Sequence, residues 1–120
     1  MVLIKGEAGT WSILKSGTSA VLVNDNFMPF LPLLELEPAK LRDLISRVEQ
    51  EGSMPVKFPL EDLLVFAVQT GSAYWIEKAI ICTIELEILN ETLRTEFPKY
   101  LHDKRISQQV RQKIYRIFKM

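Results

Sequence analysis

The sequence predicts an α+β fold, predominantly helical, in which an N-terminal β-hairpin packs on a four-helix, mostly antiparallel array. Three observations carry this expectation. Short β-branched and aromatic runs, punctuated by glycine and serine, fill the chain up to residue 34. From Glu37 onward, apolar residues recur at helical spacing instead. The gap Thr70-Gly71-Ser72 between two such helical patterns is short enough to force an antiparallel helical hairpin. A chain of 120 residues is expected to form one domain, 1–120, with hairpin and loop in 1–34 and the helical part in 35–120.

Taken in order, Val2–Ile4, Thr10–Leu14 and Ala20–Val23 read as strands. They are separated by Gly6–Gly9 and by Ser16-Gly17-Thr18-Ser19, the second gap having the look of a hairpin turn. Trp11, Ile13 and Lys15 alternate with Ser12 and Leu14, as in a partly covered strand. Asn24–Pro32 contains two prolines and reads as an ordered apolar loop, because Phe27, Met28, Phe30 and Leu31 need cover. Pro38 then suits a first helical turn, where its missing N–H leaves nothing unpaired. Leu41, Leu44, Ile45 and Val48 form the stripe of that helix, and Gly52 is a candidate C-cap.

Pro55 and Pro59 mark a linker, and Pro59 opens a second helix through Leu60, Leu63, Leu64, Ala67 and Val68. Ser72 is placed to N-cap a third helix, from Ala73 to about Leu89. That segment is apolar on most sides, the mark of a central helix, with Trp75, Ala79, Cys82 and Leu86 expected inside. Ile84-Glu85-Leu86-Glu87-Ile88 alternates and would also suit a strand, but the cap and the length of the run favour helix. Pro98 ends or kinks the following segment, or opens a new one. A last helix begins near Ser107. Its stripe Val110, Ile114 and Ile117 faces inward and Arg111, Lys113 and Arg116 face outward.

Composition removes several function classes. Apolar residues at 48% supply a core, and 25% charged residues is the ordinary globular share, which argues against global disorder. The single cysteine, Cys82, excludes a disulfide-built secreted scaffold, and its isoleucine neighbours predict a buried thiol. The N-terminal apolar run is too short for a signal peptide, and Leu63–Ile76 is too short to span a bilayer. A soluble, cytoplasmic protein without membrane association is the expectation.

Chemistry-bearing constellations are scarce. His102 is the single histidine, and a nucleophilic cysteine needs an exposed, electropositive setting that the Cys82 run does not offer. Glu85 and Glu87 point to different sides of a helix, and carboxylates without a histidine or fixed geometry make neither a metal site nor a glycosidase pair. Gly6-Glu7-Ala8-Gly9 lacks the lysine and the helix of a phosphate loop. No catalytic residue, metal or cofactor is therefore assigned.

Charge distribution is the remaining signal. From Lys99 to Met120 there are seven basic residues and one acid; residues 1–98 hold eight basic and fourteen acidic ones. The zero formal net charge hides this polarity. Lys104, Arg105, Arg111, Lys113, Arg116 and Lys119 surround a short amphipathic helix, and Trp11 in the hairpin is a further interface candidate, with core packing as its other reading. The plain alternative is a solvated face whose cations pair with Glu85, Glu87 and Glu91. The expected function is a non-enzymatic protein-binding module: a small adaptor, regulator or inhibitor of the immunity-protein kind, with an unidentified protein partner. A nucleic-acid-binding accessory protein using the same helix is the alternative, opposed by the acidic remainder of the chain and a pI near 6.6. An enzyme with an unrecognised site is the third reading.

Overall fold

The protein's structure, a computed structural model, describes residues 1–6, 9–52 and 56–118. Glu7 and Ala8 of the first loop, Pro55 of the linker and Lys119 of the basic tail lie outside the described residues. The fold is α+β, with antiparallel strands first and helices after them. The chain forms two compact units, Met1–Pro59 and Leu60–Met120.

The first unit opens with strands β1 (Val2–Lys5), β2 (Trp11–Lys15) and β3 (Thr18–Val21), paired antiparallel in chain order. The hairpin is thus one part of a three-stranded sheet. Lys15 pairs with Thr18, leaving Ser16 and Gly17 as a two-residue turn. Both have positive φ, 53° and 79°, the primed-turn conformation that matches strand twist. The register Leu3↔Ile13↔Ala20 and Lys5↔Trp11 sets one face inward, and Leu3, Trp11 and Ile13 are buried. The opposite face carries Val2, Ile4, Leu14 and Val21, all exposed, with Ser12 and Ser19 between them.

A 3-10 segment, Met28–Glu35, occupies the stretch expected as an apolar loop. It buries Phe30, Leu31, Leu33 and Leu34, with Phe27 just before it, while Met28 is exposed. Helix α1 (Pro38–Glu49) starts at its proline and buries Leu41, Ile45 and Val48. It contacts β1 and the 3-10 segment. Lys5 Nζ donates to the carbonyls of Glu49 and Glu51, tying the sheet to the end of α1. The Phe58 N–H donates to Glu49 Oε2 at 2.6 Å. Its ring meets Trp11 edge-on, with centroids 5.1 Å apart.

The second unit begins with α2 (Leu60–Gln69) and α3 (Ala73–Leu86), which pack together across the Thr70–Ser72 turn. Gly71 takes a φ of +75°, open to glycine without strain. Ser72 holds the N-cap position of α3 without making a side-chain cap bond. Its own N–H donates to Thr70 Oγ1, whose hydroxyl donates to the Ala67 carbonyl. The alternating stretch from Ile84 is helical to Leu86. The helix then stops on Glu87, a left-handed residue at φ 56°. The Ile88 and Glu87 N–H groups donate to Thr83 and Ile84 carbonyls, a Schellman closure with glutamate where glycine is usual.

Two elements follow that the helical pattern did not mark: α4 (Glu91–Glu96) and a 3-10 turn, Phe97–Tyr100, with Pro98 in its opening positions. Asn90 caps α4, its side chain accepting from the Leu93 N–H at 2.9 Å. Helix α5 (Gln108–Phe118) closes the unit against α3 and the second 3-10 turn. Ser107 sits at its N-terminus, where its hydroxyl accepts from the Val110 N–H. The Ser107 N–H donates to Glu77 Oε1 of α3 at 2.7 Å.

Two core expectations need correction. Trp75, in the first turn of α3, is only partly buried, although it shares a helix face with Ala79, Cys82 and Leu86. Ala79, Cys82 and Leu86 are buried as expected. Ile117 is 40% exposed rather than inward, since α5 buries only Val110 and Ile114.

Candidate protein-docking surface

The basic segment is built on two anchors. In the turn before α5, the Arg105 guanidinium forks onto the Asp103 carboxylate, with Nη2 to Oδ2 at 2.8 Å and Nε to Oδ1 at 3.1 Å. The same guanidinium donates through Nη1 to the Gly71 carbonyl at 3.2 Å, tying this turn to the α2–α3 hairpin. The hydrogen bond from Arg105 holds the Asp103 carboxyl below the usual carboxylate range, and the pairing raises the Arg105 pKa in return. The second anchor is Arg111, whose Nε donates to the Ile106 carbonyl at 3.1 Å. Ile106 itself is fully buried.

These anchors sort the cations singled out from the sequence. Arg105 and Arg111 hold the turn and the helix start together. Lys99 pairs with Glu96 at 3.2 Å. Lys104, Lys113 and Arg116 make no ion pair or hydrogen bond with another described residue. Lys104 and Arg116 are exposed, while Lys113 and Arg111 are partly covered rather than fully outward. Intramolecular pairing with Glu85, Glu87 and Glu91 is not found: no described cation pairs with any of them.

Apolar surface accompanies the charge. Tyr115 is 55% exposed, and Ile117, two residues on and so round another side of the helix, is exposed as well. Gln108, Arg111, Gln112 and Tyr115 share one face of α5 by their spacing of three, four and seven. Together with Leu101 and His102 they line a groove of about 330 Å³. His102, exposed on the rim, is thus placed with the helix, and spacing alone could not have placed it there.

Trp11 does not belong to this surface. It is 3% exposed, closed in by Phe58, and presents no ring to a partner. Its burial follows from register, since its position opposite Lys5 puts it on the inner face of the sheet. Cys82 is buried on α3, without the access a nucleophilic thiol requires. Among the described residues no group of three or more histidine, cysteine or carboxylate side chains is placed to hold a metal ion. No helix among them is long and apolar enough to cross a membrane.

Comparison with known proteins finds no match: no family model, no curated protein sequence and no solved structure matches the chain.

Proposed function

We propose that the chain is a soluble, cytoplasmic, non-enzymatic protein-binding module that docks an acidic partner on the outer side of α5. The observation that supports this reading is the set Lys104, Lys113 and Arg116, cations without a described ion-pair partner, on and before a helix that also exposes the side chain of Tyr115. Charge steers the encounter, and a desolvated aromatic anchor supplies most of the affinity. Arg105 fixes the turn that carries Lys104, and Arg111, itself in the groove lining, fixes the start of α5. An adaptor, a regulator or an inhibitor that covers an acidic face would each use such a surface.

Nucleic acid is the second reading, because an exposed tyrosine among cations can also stack on a base. Its electrostatic support is thin. Arg105 and Lys99 are already paired with Asp103 and Glu96. Residues 60–98 of the same unit carry seven acids against two bases, which repel a polyanion. The test is a pull-down of the wild type and of a Lys104→Glu, Lys113→Glu, Arg116→Glu variant, with nuclease treatment and at two salt concentrations. A defined protein partner lost in the variant and kept after nuclease supports docking. Capture that disappears with nuclease, or that the variant retains, refutes it.

A further inference from the structure

We infer that the groove beside Tyr115 seats one aromatic or large aliphatic side chain of the acidic partner segment, with carboxylates on either side of that residue. This rests on the docking reading above and specifies the motif it recognises. The groove lies where the Leu101-His102 turn meets the Gln108, Arg111, Gln112 and Tyr115 face of α5. Its volume of about 330 Å³ stands at the low end of ligand sites, enough for one large side chain and too little for a dinucleotide cofactor. Leu101 and the Tyr115 ring give it apolar walls. Gln108 and Gln112 are uncharged, and Arg111, the cation in the lining, already donates to the Ile106 carbonyl, so an apolar group entering the groove meets no charge without a hydrogen-bond partner.

The surrounding charge selects what flanks that side chain. Lys104 lies two residues beyond His102, with the intervening Asp103 paired to Arg105, and Arg116 is four residues along α5 from Gln112. Both are exposed and lack an ion-pair partner among the described residues. Carboxylates one or two residues to either side of the anchor would meet these cations. A basic segment would be repelled, and a neutral one would gain only the apolar contact. The arrangement is that of an anchor in a pocket with a charged rim, the usual division between affinity and orientation in protein recognition.

Two fluorescein-labelled pentapeptides test this: four glutamates around a central phenylalanine, and the same peptide with a central alanine. Fluorescence anisotropy against the full chain at low salt should give about tenfold tighter binding for the phenylalanine peptide. Gln112→Trp, which fills the groove without changing charge, should make the two peptides bind alike. Gln108→Trp fills it from one turn earlier and guards against misfolding of the first variant, with thermal melting as the check. Lys104→Glu with Arg116→Glu should weaken both peptides. Equal binding of the two peptides by the wild type, or a preference that survives both tryptophan variants, overturns the groove while leaving charge-driven docking intact. Binding of neither peptide overturns docking itself, and tighter binding of an oligothymidylate than of either peptide overturns the choice of a protein partner.

Discussion

Helices α3 and α5 contact each other in the second unit and solve opposite problems. Over fourteen residues, α3 buries Ile76, Ala79, Ile80, Cys82, Thr83 and Leu86. Over eleven residues, α5 buries Val110 and Ile114 alone. The first carries the interior; the second is held by two apolar side chains, a cap from Ser107 and the clamps of Arg105 and Arg111. Polar anchoring leaves most of the α5 surface available for another molecule. A helix fixed mainly by apolar burial, as α3 is, has far less surface to offer.

This contrast can be broken most sharply at α3. Ile80→Ala should cost about 2–5 kcal/mol in denaturant unfolding, since the side chain is fully buried. Trp75→Ala should cost less than Ile80→Ala despite removing more atoms, because the ring is only partly covered. A larger loss at Trp75 would make it, after all, part of the interior.

Two substitutions at the end of α3 should stabilise. Thr83 is buried, and its hydroxyl has no hydrogen-bond partner among the described residues. Thr83→Val keeps the shape and removes the buried hydroxyl, for a gain of about 1 kcal/mol. Glu87→Gly relieves the left-handed backbone at the helix end by a similar amount, roughly 1 kcal/mol. A loss of stability in Thr83→Val would mean that the hydroxyl has a partner.

On α5 the expected effects are small. Lys104→Glu, Lys113→Glu and Arg116→Glu together should shift stability by no more than about 0.5 kcal/mol each, because no described partner is lost. The Asp103–Arg105 pair has the weakest signature, since its arginine is exposed and only Asp103 is partly covered. Its carboxyl titrates below the ordinary value of 3.8, so the pair stabilises the fold above that pH and loses its contribution as acid protonates Asp103. Asp103→Asn should therefore flatten the pH dependence of the melting temperature in acid and lower the neutral melting temperature by the same small amount.

Much of this frame is legible in the chain because local rules act alone there. Ser16-Gly17 demands a tight turn, Pro38 and Ser107 mark helix starts, and Thr70-Gly71-Ser72 leaves room for nothing but a hairpin. Helix α4 was missed because its six residues are too few for a periodic stripe; the Asn90 cap was the available signal. Trp75 is less covered than its spacing suggests, because spacing fixes the face it shares with the buried Ala79, Cys82 and Leu86 and not how far the packing reaches along it. Ile117 shares the spacing of Val110 and Ile114, but spacing fixes a face and not how far the packing continues along it. Trp11 reads as either an interface anchor or a core residue, because alternation does not state which face of a strand is covered. The basic segment was visible as charge. Its division into anchoring arginines and cations without a described partner was not, since Arg105 reaches a carbonyl thirty-four residues away. The groove depends on the same long-range meeting of a turn with a helix.

The contrast between an interior helix and a presented one is tested most directly by mapping backbone amide shifts in NMR while the glutamate–phenylalanine peptide is titrated in. Perturbations should concentrate on Leu101–Lys104 and Gln108–Ile117, with the centre of α3 unmoved. Perturbations centred on the exposed apolar sheet face of Val2, Ile4, Leu14 and Val21, or none at all at low salt, would contradict it.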